Sequence, residues 1–166
     1  MVTKKYLTAG LILAAAGVAV WLLSVDWEAR AIKKQLRSLE QEMTWAPADS
    51  ELTMASRIRK IQAMIAENCQ VEIPAYEISK SVHQDDVPTY LMMAKNYYKH
   101  LSLKFEDLKV ESIQLPQASA LTTAYVKATT ADGQRNDEAL LLKFFLQKVE
   151  KKWQITAVKE IPVLEK

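Results

Sequence analysis

The twenty residues from Tyr6 to Val25 carry no charge, and they are flanked by Lys4 and Lys5 before and by Asp26 and Glu28 after. In a helix rising about 1.5 Å per residue, such a run spans roughly 30 Å, the thickness of a bilayer hydrocarbon core. The apolar stretch of a cleaved secretory signal is shorter, about 7–15 residues. Ala14-Ala15-Ala16 offers small residues for cleavage, yet Trp21-Leu22-Leu23 continues the run past them, so the sequence favours a single-pass anchor. Lysines before the run place the N-terminus in the cytoplasm and the chain from Asp26 onward outside it. This reading divides the chain into a transmembrane anchor over 1–25, a helical neck and linker over 26–49, and an ectodomain over 50–166.

With Lys4 and Lys5 assigned to the anchor, basic and acidic residues balance at twenty each in what remains. A neutral surface without a Lys/Arg-rich run argues against nucleic acid as a partner. The 141 residues from Asp26 suffice for one domain with its own core. Cys69 is the single cysteine, so no intramolecular disulfide forms and the fold is held by packing.

Apolar residues recur at Val25, Ala29, Ile32, Leu36, Leu39 and Met43 in alternating steps of four and three. This is the seam of an amphipathic helix, with Lys33, Lys34, Arg37 and Glu40 on other faces. It supports an exposed neck that dimerises through the seam, or a helix that rests on the membrane or on the domain. Trp45-Ala46-Pro47 ends it. A second helix capped by Asp49 or Ser50 carries Leu52, Ala55, Ile58, Ile61 and Ile65 through to Asn68. Cys69–Pro74 is a strand stub closed by proline, and Ile78–Val82 is a turn or loop. A third helix is predicted from Asp85 to His100, with Val87, Tyr90, Leu91, Ala94, Tyr97 and Tyr98 on its stripe.

From Leu101 the apolar period shortens to two, and four strands follow in succession. Leu103–Leu115 is the first, with a parity switch at Asp107-Leu108 that predicts a bulge. Ala118–Ala131 ends at the turn dipeptide Asp132-Gly133, Ala139–Val149 is apolar on both faces, and Trp153–Val163 follows the tight Glu150-Lys151-Lys152 connection. Short links make these strands antiparallel, with helices gathered at the other end of the chain: an α+β domain.

The helix, Cys69-Gln-Val-Glu-Ile-Pro74, the acid-started helix, the bent strand with Leu103-x-Phe105-x-Asp107-Leu108 and the closing Trp153-x-Ile155 strand resemble the nuclear transport factor 2-like (cystatin-like, SnoaL-like) superfamily over Leu52–Lys166. In particular, the chain is similar to membrane-anchored bacterial members. The resemblance implies a cone, a curved antiparallel sheet wrapped around helices, whose interior serves catalysis, ligand binding or neither. It also implies the inner membrane as the anchor's location and the periplasm as the domain's. Members of the fold often dimerise through the sheet face, and anchored members serve as subunits of envelope assemblies. A homodimer through sheet or neck and an envelope protein partner are therefore expected.

Enzymes of this superfamily, such as ketosteroid isomerase and limonene epoxide hydrolase, place carboxylates and tyrosines inside the cone, where burial shifts the carboxyl pKa. Here Ala118–Ala131, Ala139–Val149 and Lys152–Lys159 contain no Asp or Glu. Asp107 alone sits where the parity switch could turn an acid inward, and its ordinary role is that of a bulge residue. No catalytic residue is assigned. Tyr90, Met93 and Tyr97 on the third helix, with Asp107 and Trp153, form the candidate ligand pocket, although aromatics at helical spacing also serve as core. His83-Gln84-Asp85-Asp86 lacks a convergent ligand set for a metal and is better explained by helix capping, and no phosphate loop or nucleophile motif implies a cofactor. Cys69 has no basic neighbour in sequence to activate it. The expected function is a non-catalytic binding or scaffold module outside the cytoplasm. The alternative is an enzyme or carrier acting on a small hydrophobic ligand inside the cone.

Overall fold

The computed structural model describes residues 26–162. The Tyr6–Val25 run lies outside them. Among the described residues, no helix is long and apolar enough to cross a membrane. The element order is α1 (residues 26–42), α2 (Glu51–Met64), β1 (Ile65–Ile73), β2 (Ile78–His83), α3 (Val87–Tyr97), β3 (Tyr98–Gln114), β4 (Gln117–Thr130), β5 (Arg135–Val149) and β6 (Lys152–Glu160). The strands form one sheet in the order β2-β1-β6-β5-β4-β3, antiparallel except where β1 runs parallel to β6.

The expected neck is the first helix of the domain. Ile32 and Leu36 on its seam are fully buried, and Leu39 nearly so, in the same core as Phe105, Phe144, Leu146 and Ile155 of the sheet. The seam residues Ile32, Leu36 and Leu39 are therefore covered by the domain itself. The chain then turns at Trp45, whose N–H and carbonyl both pair with Leu101 of β3. Strand β3 is a sheet edge, and its outward donors are satisfied one after another. Leu101 N–H donates to Trp45 O at 3.1 Å, Leu103 N–H to Thr44 Oγ1 at 3.1 Å, and Phe105 N–H to the Glu40 carboxylate at 2.7 Å. Covering an edge in this way removes a template for aggregation.

Ser50 caps α2 by accepting from Thr53 N–H at 3.2 Å. The helix stops at Met64, four residues before the expected end at Asn68, because Ile65 turns extended and pairs with Ile155 of β6. Gln84 donates to the freed carbonyls of Gln62 and Ile65 at that end. The segment expected as a turn, Ile78–Val82, is instead strand β2, hairpin-paired to β1 from Asn68↔His83 to Ile73↔Ile78. The four C-terminal strands pair antiparallel as predicted. The bulge also falls where the parity switch predicts it: Asp107 has φ +53°, and the β3–β4 register shifts between Glu106 and Lys109. There Thr122 Oγ1 donates to Glu106 O at 2.7 Å, a side chain replacing a ladder donor.

Val149 pairs with Lys152 across a two-residue turn in which Glu150 and Lys151 have φ of +47° and +68°. Positive φ at both positions marks the type I′ geometry that favours Asn-Gly, and two side chains with Cβ atoms are strained there. Replacing the pair by Glu150→Asn with Lys151→Gly is expected to stabilise the protein by about 1 kcal/mol. An unchanged or lower urea midpoint would count against the strain.

Candidate functional site

The concave face of the sheet presents Phe105, Ala120, Thr122, Ala124, Leu142, Phe144 and Leu146, all buried. Phe105 and Phe144 meet edge to face at 5.5 Å between ring centres. Helix α1 and Trp45 fill the space above them. Among the described residues, the polar side chains buried to this degree are Ser119, Thr122 and Thr130, and none is an acid or an imidazole. The Thr122 hydroxyl is already committed to the bulge. General acid–base chemistry needs a titratable group in reach of a bound molecule, and this filled interior supplies none.

Trp153 is buried, and its Nε1–H donates to Glu28 Oε2 at 2.8 Å. The same carboxylate forms an ion pair with Lys148. Burial pushes the Glu28 carboxyl up, but the hydrogen bonds from Lys148 and Trp153 and the Lys148 charge outweigh it and hold the carboxyl below its ordinary range. With the folded pKa depressed, the stabilisation is complete above the unfolded value and is lost as pH falls through the folded one. Glu28→Gln is expected to cost about 1–2 kcal/mol at pH 7. The gap from the parent protein should narrow as the pH falls through the acidic range in which the folded carboxylate takes up its proton. A gap that persists undiminished at pH 3 would assign the loss to packing rather than to charge.

A cleft of about 470 Å3 lies between α2 and α3. Met54 and Ile58, both core residues, form its floor, Ala55 and Met92 its sides, and Lys95 and Asn96 part of its rim. Ser50 places the first turn of α2 at the opening, and Lys95 Nζ is steadied by the Ala46 carbonyl at 3.2 Å. The volume lies within the range of small-molecule sites, about 300–1,000 Å3. Asp49 stands at the rim with its carboxylate accepting from Ala46 N–H at 3.1 Å and facing Arg57 at 3.5 Å. A second depression, about 360 Å3, lies on the convex face among Gln117, Ser119, Phe145, Gln147 and Thr156.

The structure does not bring the five candidate pocket residues together. Tyr90, Met93 and Tyr97 lie on the outer side of α3, Met93 and Tyr97 each 62 % exposed. Lys80 sits over the Tyr90 ring at 3.8 Å. Asp107 points to solvent at its bulge, and Trp153 is consumed by Glu28. Of the methionine pair, Met92 lines the cleft and Met93 does not. The helical spacing of Ala55 and Ile58 with Met54 was the available signal for the cleft, but spacing alone does not separate a groove wall from core. His83 Nδ1 accepts from Asp85 N–H at 3.3 Å, a capping contact. Cys69 is buried in apolar surroundings, which pushes its thiol up to about 11 and keeps it un-ionised.

No protein-family model matches the sequence, and no curated protein matches it. Solved structures do. A protein from Novosphingobium aromaticivorans assigned as an aromatic ring hydroxylase superposes with a TM-score of 0.66 at 14% identity, over 83% of this chain and 91% of its own. A hexachlorocyclohexane dehydrochlorinase, LinA type 2, gives 0.68 at 8% identity over 84% and 87%. A protein from Streptomyces avermitilis assigned as a dehydratase of the nuclear transport factor 2-like family gives 0.64 at 10% identity over 84% and 99%. Identities this low carry fold and not activity, and they do not extend to the membrane-anchored type. At the level of fold, residues 26–162 form a nuclear transport factor 2-like α+β domain, a curved six-stranded sheet closed over three helices.

Proposed function

We propose that this protein is a membrane-tethered module outside the cytoplasm whose cone-shaped domain holds a small apolar molecule in the cleft between α2 and α3, without transforming it by acid–base chemistry. The observation that carries this reading is the cleft itself: core residues Met54 and Ile58 at the floor, adaptable Met92 at the side, and a polar rim. The tether rests on the uncharged Tyr6–Val25 run and its flanking charges. The filled, acid-free concave face supports binding over catalysis.

The test is native mass spectrometry of the full chain released from mild detergent, with Ala55→Trp as the blocked form. Ala55 is exposed on the cleft wall, so the larger side chain fills the groove without entering the core. A co-purifying small molecule whose occupancy falls about tenfold or more in Ala55→Trp, equivalent to about 1.4 kcal/mol, supports the reading. An empty parent protein, or equal occupancy in both forms, removes it.

The second reading, an enzyme on a small hydrophobic substrate, draws on the activities assigned to the structural neighbours. Its best acid is Asp49 at the cleft rim, and it requires turnover that Asp49→Asn abolishes while ligand binding survives.

A further inference from the structure

We propose that one end of the cone, formed by Trp27, Leu115 and Val149, is seated on the lipid surface that the Tyr6–Val25 run enters. The proposal rests on the reading of that run as an embedded anchor.

Three separated chain segments converge at this end. Helix α1 is already formed at residue 26, directly after the apolar run, so no linker residues separate the two. Glu28, half a turn on, is tied to Lys148 and Trp153, which flank the β5–β6 turn. Lys148 N–H in turn donates to Pro116 O at 2.7 Å, which brings the β3–β4 turn alongside. The large apolar side chains at these three places are all exposed: Trp27 72 %, Leu115 62 % and Val149 42 %. An indole with one wet and one apolar side suits the headgroup level of a bilayer. The opposite end lies roughly 24 Å away, the rise of α1 from 26 to 42 at about 1.5 Å per residue. There Trp45 meets Leu101, and Tyr97 O accepts from Ala131 N–H. The exposed Tyr97 thus cannot share a plane with Trp27.

Charge at the seat is close to balanced. Arg30, Lys151 and Lys152 stand with Asp26 and Glu150, while Glu28 and Lys148 neutralise each other. The seating therefore depends on the three apolar side chains and not on anionic lipid, and neutral phosphatidylcholine nanodiscs suffice to examine it.

Spin labels are placed one at a time in the full chain by Leu115→Cys, Val149→Cys, Tyr97→Cys and Leu13→Cys. Cys69 stays in place because its buried thiol takes no label. Accessibility to oxygen is compared with accessibility to a water-soluble nickel chelate. The expected result is an oxygen-to-nickel ratio several-fold higher at 115 and 149 than at 97. Labels at 115 and 149 as water-exposed as that at 97, with the label at 13 in lipid, overturn the seating alone. A water-exposed label at 13 overturns the anchor and the seating together.

Discussion

A fragment beginning at Ser50 is expected not to fold, whereas one beginning at Asp26 is. The difference lies in what the first helix and its exit supply. Ile32, Leu36, Leu39 and Trp45 are all buried against the concave face of the sheet. At about 1.5–3 kcal/mol for each buried apolar side chain, the four account for about 6–12 kcal/mol, comparable to the total stability of an ordinary domain, about 5–15 kcal/mol. Their loss leaves Phe105, Phe144, Leu146 and Ile155 facing water. It also strips the β3 edge of the acceptors that Glu40, Thr44 and Trp45 provide. The shorter fragment should therefore lack near-ultraviolet circular dichroism and amide chemical-shift dispersion. A dispersed spectrum from residues 50–166 would show that α1 is an accessory and that the core closes without it.

Periodicity in the sequence shows that one face of α1 is buried, but not by what. The same four–three spacing fits a coiled-coil partner, a membrane surface or the sheet, and only the fold of β3–β6 decides among them. The late strands were legible because their signals are local: period-two alternation, Asp132-Gly133, the parity switch at Asp107 and the short connection at Glu150-Lys151. The start of β1 and the whole of β2 were misjudged for the opposite reason. Ile65 becomes extended by pairing with Ile155, ninety residues away, and Ile78–Val82, with apolar side chains at its two ends alone, becomes a strand through its hairpin with β1. At the site, the sequence located the bulge but not the direction in which Asp107 points. Tyr90 precedes by one residue the core-facing Leu91, a helical rotation of about 100° that turns it outward, and Tyr97 ends α3 just before the chain becomes extended at Tyr98, which packs against the core. The cleft between α2 and α3 is a product of how two helices pack, and the spacing of Ala55 and Ile58 on α2 cannot separate a groove wall from core.

Trp45→Ala is expected to be the most destabilising single substitution short of truncation, at about 3–5 kcal/mol. The indole is 1 % exposed, and its Nε1–H donates to Tyr98 O at 3.1 Å. Truncation to Ala opens a large cavity and orphans that carbonyl, while the backbone pair with Leu101 is formally retained. Trp45→Phe separates the two contributions. It keeps most of the ring volume and loses the hydrogen bond, so its cost should stay near 1–2 kcal/mol, about what one buried unsatisfied acceptor costs. Urea titration of the pair gives both numbers, with unchanged slopes as the check that the folded state is the same. Costs that are equal for Phe and Ala would make the hydrogen bond, and not the packing, the element that pins α1 to the edge of the sheet. A cost below about 1 kcal/mol for Ala would mean that the segment from Thr44 to Ala46 yields to fill the space. In that case the closing of α1 over the sheet is adjustable rather than fixed.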